Sequence, residues 1–187
     1  MNISTDGIRK QNMATTDTVI VERLLHSSRV GFLGLVDGDE PYVIPLNFIW
    51  HQNALYIHGA QDGRKARLMA NSPKATFTVA NDLGSIANPV PAKTDTAYLS
   101  VMVFGKIAIV QEIHEATAAL DAMLQKYVPG YYDTPLPTGH VQSYVSGTGS
   151  HVAVYRLDPE RITAKMSPED PVMMFYPGRT RKSDLRS

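Results

Sequence analysis

The sequence predicts an α+β domain built on an antiparallel barrel, and three observations carry that reading. Several short runs rich in β-branched and aromatic residues follow one another in hairpin order, joined by tight turn signals. Helical segments stand between them without the regular strand and helix alternation of a doubly wound parallel sheet. Gly105 interrupts the longest strand run, as a small barrel does where a bulge or bend turns a corner.

From the N-terminus, residues 1–16 read as a flexible polar lead-in, since MNISTDGIRKQN contains no apolar signal core. Asp17 is an N-cap candidate for a short helix in which Ile20, Val21, Leu24 and Leu25 share a face. Val30–Val36 is a dense apolar run, DGDE a turn, and Pro41–Trp50 a second strand beside the first. HQN makes another tight turn before a third strand that ends near His58. GAQDG then leads into a helix starting at Arg64, which Pro73 stops because proline cannot continue it.

Lys74–Asn81 returns to strand, the proline-punctuated stretch 83–96 reads as a loop for function or partner contact, and Tyr98 opens the long strand. Residues 114–127 form a helix with Ala118, Leu120, Met123, Leu124 and Tyr127 as its apolar stripe. After the irregular VPGYYDTPLPTGH, HVAVYRLDP and RITAKM supply one or two last strands. The expected domain is 17–166, because 187 residues suit a single core, and 167–187 is a basic, solvated C-terminal extension.

Composition removes several function classes. Hydrophobic residues at 43% and charged residues at 19% describe a soluble globular chain with a substantial core. Eighteen basic and 18 acidic residues cancel, so neither nucleic acid nor an anionic membrane is an expected partner. The absence of cysteine excludes disulfides, thiolate nucleophiles and sulfur-ligated metals. Apolar stretches fall well short of the ~20 residues a spanning helix needs, and the expected location is the cytoplasm. His26, His51, His114, His140 and His151 lack paired metal-ligand spacing, so no metal is expected. Ser146 and Ser150 lack the Gly-x-Ser-x-Gly of a nucleophile elbow, and Trp50 and the Tyr131–Tyr132 pair read as structural.

YIHGAQDGRKARLMANSPKATF is the most informative stretch, with a strand running into a glycine-bearing loop and then a helix that opens on Arg64 and Lys65. Free amides at a helix start, a favourable dipole and two cations converge there, which suits a phosphomonoester. Gly59 and Gly63 let the backbone approach. The competing reading is a solvated first helical turn, and local chemistry leaves both open. The anion reading requires a cavity beside that turn rather than bulk water. Walker-loop spacing is absent, which disfavours nucleotide triphosphate hydrolysis.

The run Tyr56, Arg64, Lys65, Leu68, Asn71, Pro73, Ala75 resembles the Arg-Lys, Leu, Asn-x-Pro pattern of the pyridoxamine 5′-phosphate oxidase superfamily, the FMN-binding split barrels. Tyr98–Val110 is similar to the Tyr-x-Ser-Val-x-Val-Phe-Gly strand of the branch that includes the nitroimidazole-resistance (Nim-type) proteins. The resemblance spans about Val19 to Met166, with both motifs in family order.

That resemblance implies an antiparallel split β-barrel with flanking helices, and a homodimer with FMN at its interface. It implies that Arg64 and Lys65 hold the FMN phosphate, and that Pro45, Leu46, Asn47 and Phe48 meet the flavin ring through main-chain amides. Ser100 matches the strand motif and borders the cofactor, whereas Val101 reads as core packing. His58 stands where Nim-type proteins have a histidine, and is the candidate catalytic group, able to exchange a proton near neutral pH. The implied function is an FMN-dependent oxidoreductase passing electrons from NAD(P)H to a small molecule such as a nitroaromatic or quinone. The rivals are a flavin, haem or deazaflavin binder without turnover, and pyridoxamine 5′-phosphate oxidase itself, whose basic substrate-phosphate motif is not plain here.

Overall fold

In the computed structural model, which describes residues 1–145, 149 and 151–185, turn chemistry sets the strand pairings. Gly38 takes φ 66° between β1 (Gly31–Asp37) and β2 (Glu40–Leu46), which pair antiparallel. Gln52 and Asn53 both have positive φ, 48° and 59°, in the two-residue turn that joins β3 (Ile49–His51) to β4 (Ala54–Ala60). Ser146 and Ser150, weighed above as nucleophiles, lie outside the described residues.

The remaining elements are α1 (Thr18–Ser27), α2 (Gly63–Asn71), β5 (Lys74–Ile86), β6 (Asp95–Ile109), α3 (Ile113–Tyr127), α4 (Thr138–Gln142), β7 (Val152–Ser167) and α5 (Arg181–Asp184). The seven strands form one antiparallel sheet in the order β2-β1-β5-β6-β7-β4-β3. Only Asn47 and Phe48 separate β2 from β3, yet these strands are the two edges of that sheet. Two residues span so little that the sheet must curl until its edges nearly meet. They do not pair, so the barrel stays split along this seam.

This corrects the single strand expected over Pro41–Trp50. Alternating exposure along β2 gives way to three consecutive buried residues, Phe48, Ile49 and Trp50, which one pleated strand cannot turn to the same side. Phe48 and Trp50 enter the barrel core, whereas Ile49 joins a second cluster under α3.

The expected loop over 83–96 is another correction. β5 and β6 continue as a hairpin to Ile86↔Asp95, with a bulge at Asp82–Gly84, and leave only 87–94 as connection. The bulge expected at Gly105 is present, with the register of β6 on β7 shifting between Phe104 and Gly105. A Cβ at Gly105 would overlap the main-chain carbonyl of Asp158, so the strands meet where glycine alone fits.

Asp17 caps α1 by accepting from the amides of Val19 and Ile20, at 2.9 and 3.2 Å, and Val21, Leu24 and Leu25 are buried beneath it. In α3 the stripe is offset from expectation: Ala116, Ala119, Leu120 and Met123 are buried, while Ala118 is exposed. The lead-in lies against β7, with Ser4 N donating to Ile162 O at 2.8 Å and Thr15 N to Ala164 O at 3.1 Å. The basic tail is also tied down. Phe175 N donates to Ser85 O at 2.8 Å, and the buried Arg179 guanidinium pairs with Asp184 at 3.0 Å. Among the described residues no helix is long and apolar enough to cross a membrane.

Candidate functional site

β4 sends alternate side chains to opposite faces, and this alternation organises the site. Tyr56 lies in the cluster under α3, Leu55 and Ile57 lie in the barrel core, and His58 and Gly59 continue the two sets toward α2. A Cβ at Gly59 would overlap the Lys65 ammonium, so Lys65 rests on bare backbone there. Burial pulls the Lys65 ammonium below the ordinary lysine range, and it has no ion-pair or hydrogen-bond partner among the described residues.

Arg64 behaves differently. Its Nε is 2.8 Å from Asp37 Oδ2, a terminal nitrogen is 2.8 Å from Glu40 Oε2, and the guanidinium lies over the Tyr42 ring at 4.6 Å. Arg67 reaches the same Asp37 oxygen at 2.8 Å. These arginines brace α2 against the β1–β2 turn, so Arg64 is already matched by carboxylates while Lys65 is not. Gly63 at φ 84° takes the left-handed conformation that opens α2, and the Asp62 side chain makes no capping hydrogen bond.

His58 is accessible at the edge of this cradle, its Nδ1 3.0 Å from Met123 Sδ. Partial burial first and the Lys65 charge second lower its pKa, which favours the neutral imidazole. It lines an open-sided cavity of about 640 Å³ together with Asn47, α3, α4 and the segment 128–137. Asp121 Oδ1 holds that segment in place by accepting from the Leu136 amide at 3.0 Å.

The expected site residues therefore separate. Asn47 and His58 meet at the cavity wall, and Gly59 and Lys65 form the cradle on the other face of β4. Arg64 does not line the cavity, and its turn is exposed in the single chain. Pro45 is exposed on β2, with Leu46 half-buried beside it. Phe48 cannot offer its ring or amide to a ligand. The ring is fully buried, 4.9 Å from that of Phe77 and with Lys126 Nζ 4.0 Å above it. Its amide donates to Tyr127 Oη at 2.9 Å, and its carbonyl accepts from Lys126 Nζ at 3.0 Å. Burial, then Arg29, takes Lys126 down to about 8.

Ser100 faces outward on β6 opposite Lys165 of β7, whereas His58 stands opposite Val154, eleven residues away along that strand. The single chain thus keeps Ser100 away from His58. Val101 is fully buried. Sequence reading missed the cavity wall, to which Tyr127, Tyr132, His140 and Tyr144 contribute. The aromatic density after α3 was its only trace in the sequence.

Residues 17–166 match the family model described as pyridoxamine 5′-phosphate oxidase. No curated protein matches the chain significantly. Solved structures share its fold. One, from Bacteroides thetaiotaomicron and described as a candidate 5-nitroimidazole antibiotic resistance protein, has a TM-score of 0.65 at 22% identity over 81% of this chain and 85% of its own. The flavocytochrome Anf3 from Azotobacter vinelandii gives 0.71 at 19% identity, covering 91% and 78%. An FAD and haem binding protein from Mycobacterium smegmatis gives 0.68 at 19%, covering 86% and 77%.

Proposed function

The chain belongs to the pyridoxamine 5′-phosphate oxidase family, and from that premise we propose that it binds FMN and passes electrons from NAD(P)H to a small molecule in the cytoplasm. The observation that carries this reading is the Lys65 ammonium. A half-buried cation without a counter-ion is costly in an empty fold, and a phosphate ester is the group that compensates it. The open amides at the start of α2 supply further donors to the same anion. These residues fit a flavin phosphate.

Lys65 and the first turn of α2 hold the phosphate, Gly59 leaves room for the Lys65 ammonium, and Arg64 positions α2 through Asp37 and Glu40. A bound flavin supplies a two-electron carrier, which no side chain of this chain provides. His58, whose lowered pKa favours the neutral form, is a group at the cavity wall next to the phosphate cradle that can take up or return a proton at its imidazole.

We assign the outer face of β2, β1, β5 and β6 to a second copy of the chain. Val43, Val36, Phe32 and Met102 stand there at 61%, 55%, 49% and 38% exposure, a concentration of apolar surface that marks an interaction face, and Ser100 lies on it. The anion reading further requires that such a homodimer cover the exposed turn of α2.

Titration of FMN into flavin-free protein, followed by absorbance, tests the reading. Lys65→Ala is expected to weaken binding at least tenfold and Arg64→Ala less, and wild-type affinity in Lys65→Ala rejects the phosphate cradle. Anaerobic NADPH should bleach the bound flavin. Persistent yellow colour would instead identify a flavin carrier without turnover.

A further inference from the structure

We propose that Met123 is a positioning residue for His58: its thioether holds the imidazole in the Nδ1–H tautomer, so the nitrogen left for a ligand is Nε2 with its lone pair, a proton acceptor. The tautomer stands by itself, whereas the use of that acceptor in turnover rests on the flavoprotein reading above.

A thioether sulfur carries no proton, so in the 3.0 Å contact between His58 Nδ1 and Met123 Sδ only the nitrogen can donate. Met123 is the only hydrogen-bond partner of that ring among the described residues. A neutral imidazole has a single N–H, and placing it on Nδ1 leaves Nε2 bare. In water the histidine side chain favours the opposite form, so the contact selects against the intrinsic preference. The reverse tautomer would turn two lone pairs toward each other at Nδ1 and Sδ.

The sulfur is fixed from several sides. Met123 is buried with Ala119, Leu120, Tyr56 and Val154, and Val154 is the β7 residue paired with His58. Lys126 and Tyr127 anchor the last turn of α3 to Phe48. A carboxylate in place of the thioether would fix the same tautomer, but its charge would raise the pKa of the ring. The uncharged sulfur fixes it without that pull, and partial burial and Lys65 keep the pKa below the ordinary histidine range. Nε2 is thus free to accept a hydrogen bond from a ligand O–H or N–H and then its proton, with the bonding pair staying on the ligand heteroatom. The imidazolium returns the proton from the same nitrogen.

The test is long-range proton–nitrogen correlation NMR at pH 8 on flavin-free protein carrying isotope-labelled histidine, with the His58 ring identified by its loss in His58→Gln. The wild type should show a protonated-type shift at Nδ1 and a lone-pair-type shift at Nε2. Met123→Leu keeps the apolar volume and removes the acceptor, and the ratio of Nδ1–H to Nε2–H forms should fall at least about tenfold. Ala119→Gly loosens the same cluster without touching the sulfur, and should leave both shifts in place. An Nε2–H wild type, an unchanged ratio in Met123→Leu, or an equal change in Ala119→Gly would each overturn the assignment. If Met123→Leu fails to fold, the wild-type spectrum alone decides. A wild type with the Nδ1–H signature that takes up no FMN upholds the role of Met123 and rejects the flavoprotein reading instead.

Discussion

At Gly59 a missing side chain makes room for a cation, and at Gly105 one makes room for a carbonyl. The two should respond differently to alanine. Gly59→Ala meets only the flexible end of Lys65, so the fold should survive while FMN affinity falls as the ammonium is pushed away; unchanged affinity would separate Lys65 from the phosphate. Gly105→Ala meets main chain that cannot yield, and should cost about 1–3 kcal/mol, read as a shifted urea midpoint. His58 gives a pH signature. Its folded pKa lies below the ordinary histidine value of about 6.5, so the unfolded chain binds the proton more readily. Its contribution to stability is present above pH 6.5 and is lost as pH falls from there toward the lower folded value. His58→Gln should flatten that part of the stability profile between pH 7.5 and 5.5, and an unaltered slope would contradict the lowered pKa of the imidazole.

Among the elements, α3 is held at its C-terminal end by the Lys126 ammonium and by the Tyr127 hydroxyl. Tyr127 Oη accepts from the Phe48 amide at 2.9 Å and lies near the carbonyls of Arg29 and Phe48, joining the helix to the start of β1 and to the seam of the barrel. Tyr127→Phe leaves the Phe48 amide without its acceptor and should cost about 1–3 kcal/mol. For a chain of this size each kilocalorie lowers Tm by about 2–4 °C, which calorimetry resolves. An unchanged Tm would mean that water replaces the hydroxyl. The occupied amide of Phe48 was not legible in the sequence, since its acceptor stands 79 residues away.

For the whole molecule, the split between β2 and β3 leaves two sheet edges and an apolar outer face on β1, β2, β5 and β6. The dimer proposed for that face predicts that Val43→Glu, a change at a site already 61% exposed, yields a stable monomer by light scattering with weakened FMN binding. A monomeric wild type, or a dimeric variant, would reject it.

Local signals alone settled much of this chain. The Asp17 cap, the Gln52–Asn53 turn and the Arg-Lys segment after β4 depend on interactions within a few residues, and the sequence therefore displays them, whereas Gly105 shows only as a glycine inside a strand run, the carbonyl it accommodates belonging to Asp158 of β7. Tertiary structure decided the rest. Only the closure of the sheet could break Pro41–Trp50 into two opposite edges, and only packing across distant segments could match Arg64 with Asp37 and Glu40 while leaving Lys65 unpaired. The physical reason is that a side chain's type is local, whereas burial and the identity of the neighbouring charge are set by residues that meet only once the chain has folded.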